Sequence, residues 1–185
     1  ARACRGAGRR TRDAAPSTAA NRQGRPPATE EEAPRTQPKP VTAHLAIDLC
    51  ATELWLLADK ALYWPEPQAL LIADIHFGKA AAYRRLGQPV PSGTTETNLA
   101  RLDALLARYP ARRLIFLGDF LHAPESHAPA TLAQLAAWRH RHAGLRLTLI
   151  RGNHDRRAGD PPPELGIEVV GEPLLLGPFA LQHEP

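Results

Sequence analysis

The sequence has 185 residues and a formal net charge of +4, but this charge is unevenly distributed. Residues 1–40 contain nine Arg or Lys and four acidic residues, a balance of 9 − 4 = +5, which leaves 14 − 15 = −1 for residues 41–185. The overall positive charge is therefore no evidence for a basic, nucleic-acid-binding face on the larger part of the chain.

Residues 1–40 form an Arg/Pro/Ala-rich segment with six Pro and no Val, Leu or Ile. Such a segment buries too little apolar surface to offset its ordering entropy, so we predict a disordered tail. Residues 41–185 have the length and composition of one domain. Two cysteines, Cys4 and Cys50, form no disulfide framework, and no apolar run reaches the length of a membrane span. We therefore expect a cytoplasmic protein without membrane contact.

The first half of the domain is predicted to begin with strands. Apolar residues alternate over 41–49, which is typical of a strand with one buried face. Residues 53–58 and 61–64 are predicted to be further short strands, and the continuous apolar run 69–73 indicates a central strand covered on both faces. A helix is predicted over 78–86. A second helix follows, with one apolar face formed by Leu99, Leu102, Leu105, Leu106 and Tyr109.

The second half alternates strands with helices. Strands are predicted over 113–117 and 145–150, with a helix over 129–142 between them. Three short strands are then predicted over 165–170, 174–176 and 179–182. This alternation favours an α/β fold with covered sheets.

Polar side chains follow four of the predicted strands: Asp74 with His76, then Asp119, Asn153 and His183. Because ligands gather at the carboxyl ends of strands in α/β sheets, we expect these tips to converge. Asp74 and His76 are two residues apart, which points both to one side of an extended chain. Gly118 would let the backbone pass close to an ion or phosphate. Each of these residues alone is explained by an ordinary position in a turn, in the core or on the surface. The ordered set at four strand ends predicts a metal site.

The motifs Asp74-x-His76, Gly118-Asp119, Gly152-Asn153-His154-Asp155 and the later His183 resemble those of the calcineurin-like metallophosphoesterases. Residues 73–79, Pro91-x-Gly93, 118–122 and 152–157 are similar to one bacterial branch, the ligase-associated DNA damage response endonucleases. The resemblance covers residues 69–185. It implies a layered α-β-β-α sandwich with two mixed sheets flanked by helices.

The resemblance also implies two divalent ions bridged by an aspartate and a hydroxide. Transferred by motif, Asp74 and His76 hold the first ion, Asp119 bridges, and Asn153 and His183 hold the second. Two such ions lower the pKa of a bridging water and neutralise phosphoryl charge. An oxygen and nitrogen ligand set without thiolate suits Mn, Fe or Zn and does not choose among them.

His154 is expected to lie beside the metals without binding them. A free imidazole has a pKa near neutrality, so His154 would protonate the leaving alkoxide or stabilise the transition state, and Asp155 would orient its ring. Four further side chains are candidates for contact with the substrate phosphate, although solvated surface positions are an equal alternative for the arginines: Lys79, His122, Arg151 and Arg156.

The family pattern also requires a final Gly-His-x-His, which this chain lacks. The pair His140 and His142 is no substitute, because residues two apart on a helix face different ways. We therefore expect a domain cut short at its C-terminus. With one ligand per ion missing, the chain as written would bind metal weakly, with reduced or no activity.

The sequence favours a metal-dependent phosphodiesterase or endonuclease acting on DNA during repair. The DNA substrate follows from the resemblance alone, as do a DNA ligase and a helicase of a repair cluster as protein partners. Two alternatives remain open. One is a metallophosphatase acting on a phosphomonoester, phosphoprotein or nucleotide, and the other is a catalytically inactive interaction domain of a repair complex.

Overall fold

The computed structural model describes residues 44–90 and 93–184. The predicted tail over residues 1–40, the start of the first predicted strand and Pro91 of the endonuclease-like motif lie outside these ranges. Within them the α/β class predicted from the sequence is confirmed. None of the helices in the described part combines the length and apolar character needed to cross a lipid bilayer.

Four strands open the fold as an antiparallel meander: β1 (His44–Leu49), β2 (Thr52–Leu57), β3 (Ala61–Trp64) and β4 (Ala69–Ala73). The helices α1 (Lys79–Arg85) and α2 (Thr94–Arg108) then lead to β5 (Arg113–Leu117). Helix α3 (Pro129–Arg141) leads to β6 (Arg146–Ile150), and the short helix α4 (Asn153–Ala158) to β7 (Ile167–Val170). The strands β4 to β7 are parallel neighbours, so one seven-stranded mixed sheet has the order β1-β2-β3-β4-β5-β6-β7.

The central strands are buried on both faces, as the continuous apolar run over 69–73 predicts. Leu70 and Ile72 of β4 belong to the core that also includes Leu102 of α2 and Leu135 of α3. The alternate residue Leu71 faces a second, smaller core. The sheet therefore has helices packed on one face and a different layer on the other.

That other layer is a hairpin of β8 (Leu174–Leu176) and β9 (Phe179–Leu181). Its alternate residues pack on the smaller core, and the Phe179 ring meets the Trp64 ring edge-on at 5.2 Å between centroids. In the described part of the chain this second sheet is two-stranded and antiparallel, so one mixed sheet is present where two were expected.

One local expectation was wrong, and one helix was not predicted. Strand β1 forms, but its predicted apolar face is largely exposed, with Leu45 at 64% and Leu49 at 51%. Among the described residues, β1 is the edge strand of the sheet and pairs with β2 alone, and the exposure of Leu45 and Leu49 shows that no other described layer covers this face. The second difference is α4, which was not predicted and which begins at Asn153, inside the motif that follows β6.

Candidate metal centre

The tips of β4 and β5 form adjacent left-handed turns. Asp74, His76 and Asp119 have φ values of 54°, 49° and 54°, which non-glycine residues adopt infrequently. The His76 amide donates a hydrogen bond of 2.9 Å to the Asp119 carbonyl, and Phe77 donates one of 2.8 Å to Phe120. Asp74 and His76 thus lie on one side because both tips turn together, rather than through the strand alternation expected from the sequence.

The Asp119 carboxylate is central to the site. It is only 4% exposed. Its Oδ2 lies 3.6 Å from Nε2 of His76, and its Oδ1 lies 3.4 Å from Nε2 of His183. On the first side, Oδ1 of the exposed Asp74 is 3.9 Å from the same His76 nitrogen. Residues from three separate strand tips, β4, β5 and β9, therefore converge on one carboxylate.

The fourth tip contributes Asn153, the first residue of α4. The backbone amide of the next residue, His154, donates a hydrogen bond of 3.0 Å to Oδ1 of Asp119. The Asn153 Oδ1 atom is buried and has no hydrogen-bond partner among the described residues. A buried amide oxygen without a donor is costly, so this atom is suited to a ligand that accepts its lone pair.

Backbone carbonyls determine which nitrogen of two imidazoles carries the proton. Nδ1 of His183 lies 2.9 Å from the carbonyl of Leu117, and Nδ1 of His154 lies 2.8 Å from that of His122. A carbonyl only accepts, so both Nδ1 atoms donate and both neutral rings present the Nε2 lone pair. Metal-binding histidines are oriented in this way.

Two glycines allow this close approach. A Cβ atom at Gly118, where φ is +74°, would collide with the His183 ring. A Cβ atom at Gly152 would lie 2.5 Å from Oδ1 of Asp119. The immediate neighbour of Gly118 is therefore the imidazole of His183, and the expected closeness of Gly118 to an ion or phosphate stays a prediction.

Asp155 joins two loops of the site. Its fully buried carboxylate accepts hydrogen bonds of 3.0 Å from the Gly152 amide and 2.9 Å from the Leu121 amide. Burial raises the pKa of Asp155, and the backbone hydrogen bonds partly oppose this. The expectation that Asp155 orients His154 is not met, because Nδ1 of that ring bonds to the His122 carbonyl. Since its side chain points into the core from the first turn of α4, Asp155 positions the backbone instead.

His76, His122 and His154 form a compact histidine cluster whose ligand atoms lie within 4.8 Å of one another. Nδ1 of His122 lies 3.4 Å from Nδ1 of His76, and the rings of His122 and His154 stack at 4.8 Å between centroids. Burial, with smaller contributions from neighbouring cationic groups, lowers the pKa of His122. Burial also lowers that of His76, although Asp119 opposes it. Neutral imidazoles at physiological pH are competent ligands and hydrogen-bond partners.

The three cationic residues that were predicted to contact the substrate phosphate differ in whether a carboxylate lies beside them. Arg151 donates hydrogen bonds of 2.9 and 2.7 Å to Asp160, which raise the pKa of Arg151. The Arg156 guanidinium lies 3.8 Å from Glu172 and 3.9 Å from Glu184. The exposed ammonium of Lys79 has no ion-pair partner among the described residues.

A cleft of about 270 Å³ adjoins the site. Asp74, Ile75 and His76 line it together with Val90. Residues of α1 and α2 also line it: Lys79, Ala80, Tyr83, Thr94 and Asn98. Sequence reasoning did not single out Tyr83 or Asn98. They lie on helices outside any motif, and only the packing of α1 beside α2 brings them to the metal centre.

These donors are suited to divalent cations. Carboxylate, amide and imidazole atoms are present without a thiolate, as Mn, Fe or Zn sites with hard and intermediate ligands require. Lone pairs remain available, because the imidazole nitrogens of His76 and His183 lie 3.6 and 3.4 Å from the Asp119 carboxylate, beyond the 2.7–3.2 Å typical of hydrogen bonds. The residues present therefore fit a metal centre.

Comparison with known proteins agrees with this chemistry. The family model for calcineurin-like phosphoesterases matches residues 68–178, which is more than half of the chain. The crystal structure of the nuclease MPE from Pseudomonas putida is similar, with 57% sequence identity and a TM-score of 0.70. The similarity covers 77% of this chain and 66% of the nuclease chain, slightly less than two thirds of it. Among curated proteins, no sequence matches.

Proposed function

Because the chain belongs to the calcineurin-like phosphoesterase family of metal-dependent hydrolases, we propose that it is a two-metal phosphodiesterase that cleaves DNA. One observation carries the two-metal part. The two oxygens of Asp119 lie beside imidazole nitrogens of different loops, His76 at 3.6 Å and His183 at 3.4 Å. A carboxylate placed in this way is suited to bridge two cations.

In this proposal Asp74 and His76 hold one ion, Asn153 and His183 hold the other, and Asp119 contacts both. The ions supply a water nucleophile of lowered pKa and neutralise the charge that develops on the phosphoryl group. The burial of Asp119 and the anchored rings of the histidines keep the ligands in place without help from solvent. The metal remains one of Mn, Fe or Zn.

His154 is proposed to be the general acid. Its Nδ1 proton is held by the His122 carbonyl, so Nε2 is the atom that takes up and delivers a proton. Nε2 first takes up a proton from solvent. The attacking water then gives one proton to solvent as its oxygen bonds to phosphorus, and the proton on Nε2 passes to the leaving oxygen as the bond from phosphorus to that oxygen breaks. Nε2 lies 3.9 Å from Oδ2 of Asp119, next to the ligand set.

The DNA substrate is supported by the nuclease neighbour and by the resemblance of the motifs to repair endonucleases. Lys79 is the proposed phosphate contact, since Arg151 and Arg156 already lie beside carboxylates. A DNA ligase and a helicase as partners rest on the resemblance alone. A cytoplasmic location stays a prediction from the sequence.

The proposal is tested on the protein expressed from its complete gene. We expect Mn²⁺-dependent cleavage of a single-stranded DNA oligonucleotide and of bis(p-nitrophenyl) phosphate, with both activities removed by EDTA. Preferential hydrolysis of p-nitrophenyl phosphate would instead identify a phosphomonoesterase. No Mn²⁺-dependent hydrolysis of any of the three compounds would refute the enzyme and favour an interaction domain.

A further inference from the structure

The cleft beside the metal centre continues directly from the proposed metal ligands. Asp74 and His76 line both, so a substrate with its phosphorus at the metals extends into this cleft. Its volume of about 270 Å³ lies slightly below the roughly 300–1,000 Å³ of pockets that enclose a whole ligand. It therefore suits a single unit of a polymer rather than a long segment.

Tyr83 is the aromatic residue that lines this cleft. It is half-buried on α1, one helical turn after Lys79, so both side chains lie on the same face. The Tyr83 ring lies 5.7 Å from the ring of His122, which itself stacks on His154. A continuous row of rings thus leads from the proposed general acid to the cleft.

The polar residues of the cleft complete the surface. Asn98 on α2 is held in place by a hydrogen bond of 2.9 Å from its Nδ2 to the Ile75 carbonyl. The Lys79 ammonium lies 5.9 Å from the centre of the Tyr83 ring and pairs with no carboxylate in the described part of the chain. An aromatic face, a fixed amide and an unpaired cation are the groups that bind single-stranded nucleic acid.

We propose that this cleft is the subsite for the nucleoside attached to the scissile phosphate. Its base would stack on Tyr83, and Lys79 would contact a phosphate of the same strand. This inference rests on the phosphodiesterase function proposed above and deepens it by assigning a residue that binds the nucleoside, because a stacking platform favours a nucleoside ester over a simple phosphodiester. Stacking is tolerant of sequence, so any base is accepted.

The test compares two phosphodiesters with the same p-nitrophenol leaving group, thymidine 5′-(p-nitrophenyl phosphate) and methyl p-nitrophenyl phosphate. We expect the protein to prefer the nucleoside ester by at least about fivefold in kcat/KM, as one base stack provides. The Tyr83→Ala substitution should bring this ratio close to one. Tyr83→Phe should retain it, because the ring remains.

Two further variants make the result specific. Tyr83→Leu keeps much of the side-chain volume but removes the ring, so it should lose the preference for the nucleoside ester. It serves as the test if Tyr83→Ala folds poorly. Arg84→Ala is the matched control, since Arg84 is exposed on the same helix, bonds to the Ala80 carbonyl and does not line the cleft. It should leave both reactions unchanged.

The outcomes separate this inference from the proposed function. Equal hydrolysis of the two esters by the unsubstituted protein, or an equal loss of both with Tyr83→Ala and Tyr83→Leu, would overturn the nucleoside subsite and leave the phosphodiesterase intact. No Mn²⁺-dependent hydrolysis of either ester would overturn both. Retention of the preference in Tyr83→Leu would also contradict the stacking role.

Discussion

The structure contains two aspartate–histidine clusters with opposite character. Asp103 on α2 accepts hydrogen bonds of 2.7 Å from Nε1 of Trp138, 2.7 Å from Nε2 of His142 and 3.2 Å from Arg141, at the end of α3. Asp119 has imidazole nitrogens around it at 3.4 to 3.9 Å, and its side chain accepts a hydrogen bond from the backbone amide of His154.

This difference distinguishes a structural cluster from a reactive one. Both oxygens of Asp103 accept hydrogen bonds from side chains at the end of α3, so this cluster joins two helices. Around Asp119, carbonyls bind the far sides of the His154 and His183 rings and direct their Nε2 atoms inward. The role of a histidine beside an aspartate therefore depends on which atom bonds to the ring nitrogen that faces away from the carboxylate.

Substitution of Asp119 should have the largest effect. Asp119→Asn removes the charge that faces His76 and His183, so we expect loss of Mn²⁺ binding and a fall of at least about 100-fold in kcat, the upper end of the effect of removing an outer-shell partner. Isothermal titration with Mn²⁺ and hydrolysis of bis(p-nitrophenyl) phosphate measure the two effects. The counterpart Asp103→Asn should change neither, and equal losses in both variants would erase the distinction between the clusters.

His154→Ala should follow in size. Loss of a general acid costs roughly 100- to 10,000-fold, and it costs least when the leaving group is already a stable anion. We therefore expect a greater loss of kcat on a DNA oligonucleotide than on bis(p-nitrophenyl) phosphate, with Mn²⁺ affinity nearly retained. Identical losses on the two substrates would argue against proton donation by His154.

Asp155→Asn tests the backbone role of the buried carboxylate. An amide nitrogen would face one of the two amides of Gly152 and Leu121, so one hydrogen bond is lost and a donor is left unpaired. We expect a loss of about 1–3 kcal/mol in the free energy of unfolding and a 10- to 100-fold loss of Mn²⁺ affinity. Denaturant unfolding and metal titration measure these quantities.

The matched control for that substitution is Asp160→Asn, which breaks the exposed ion pair with Arg151. Exposed pairs contribute at most about 1 kcal/mol, so this variant should be nearly as stable as the unsubstituted protein and should bind Mn²⁺ normally. If Asp155→Asn behaves in the same way, the buried carboxylate does not position the ligands.

The smallest effect on activity is expected at Asp103. Asp103→Ala leaves Nε1 of the buried Trp138 without its acceptor, so we expect a loss of about 1–3 kcal/mol in stability and no change in kcat. Thermal unfolding and the bis(p-nitrophenyl) phosphate assay check both parts. A fall in kcat at constant Mn²⁺ affinity would show that this cluster is coupled to the active site.

The pH dependence of stability gives a further test of the role of Asp103. Burial raises the pKa of Asp103, but hydrogen bonds from His142, Trp138 and Arg141 outweigh it, and the net pKa lies below the ordinary value of 3.8. A carboxyl with a lowered pKa contributes stability above its unfolded pKa and loses it as the pH falls through the folded pKa. The difference in Tm between the unsubstituted protein and Asp103→Asn should therefore shrink below about pH 4.

Much of the fold follows from local pattern. The continuous apolar runs of β4 and β5 and the period-3.6 face of α2 are visible in the sequence, and these strands and this helix form where predicted. The edge position of β1 was not visible, because alternation reveals an apolar face but not what covers it. Helix α4, Asn153–Ala158, was missed because its first residues were interpreted through their chemistry, as a ligand, a proton donor and the partner of that donor, rather than through their backbone conformation.

In the candidate site, too, some features were predicted from the sequence and others depend on tertiary contacts. The identity and order of Asp74, Asp119, Asn153 and His183 are written in the sequence, because metal and phosphoryl chemistry restricts the residue types that can follow a strand. The contacts of Asp155 and of the His122 carbonyl, and the position of Tyr83 on which its proposed role rests, were decided by tertiary structure. Each depends on contacts between segments more than 30 residues apart, or on the packing of two helices, and no local pattern encodes these. Residue chemistry therefore determined which atoms could act, and the packing of strand tips and helices determined which of them meet.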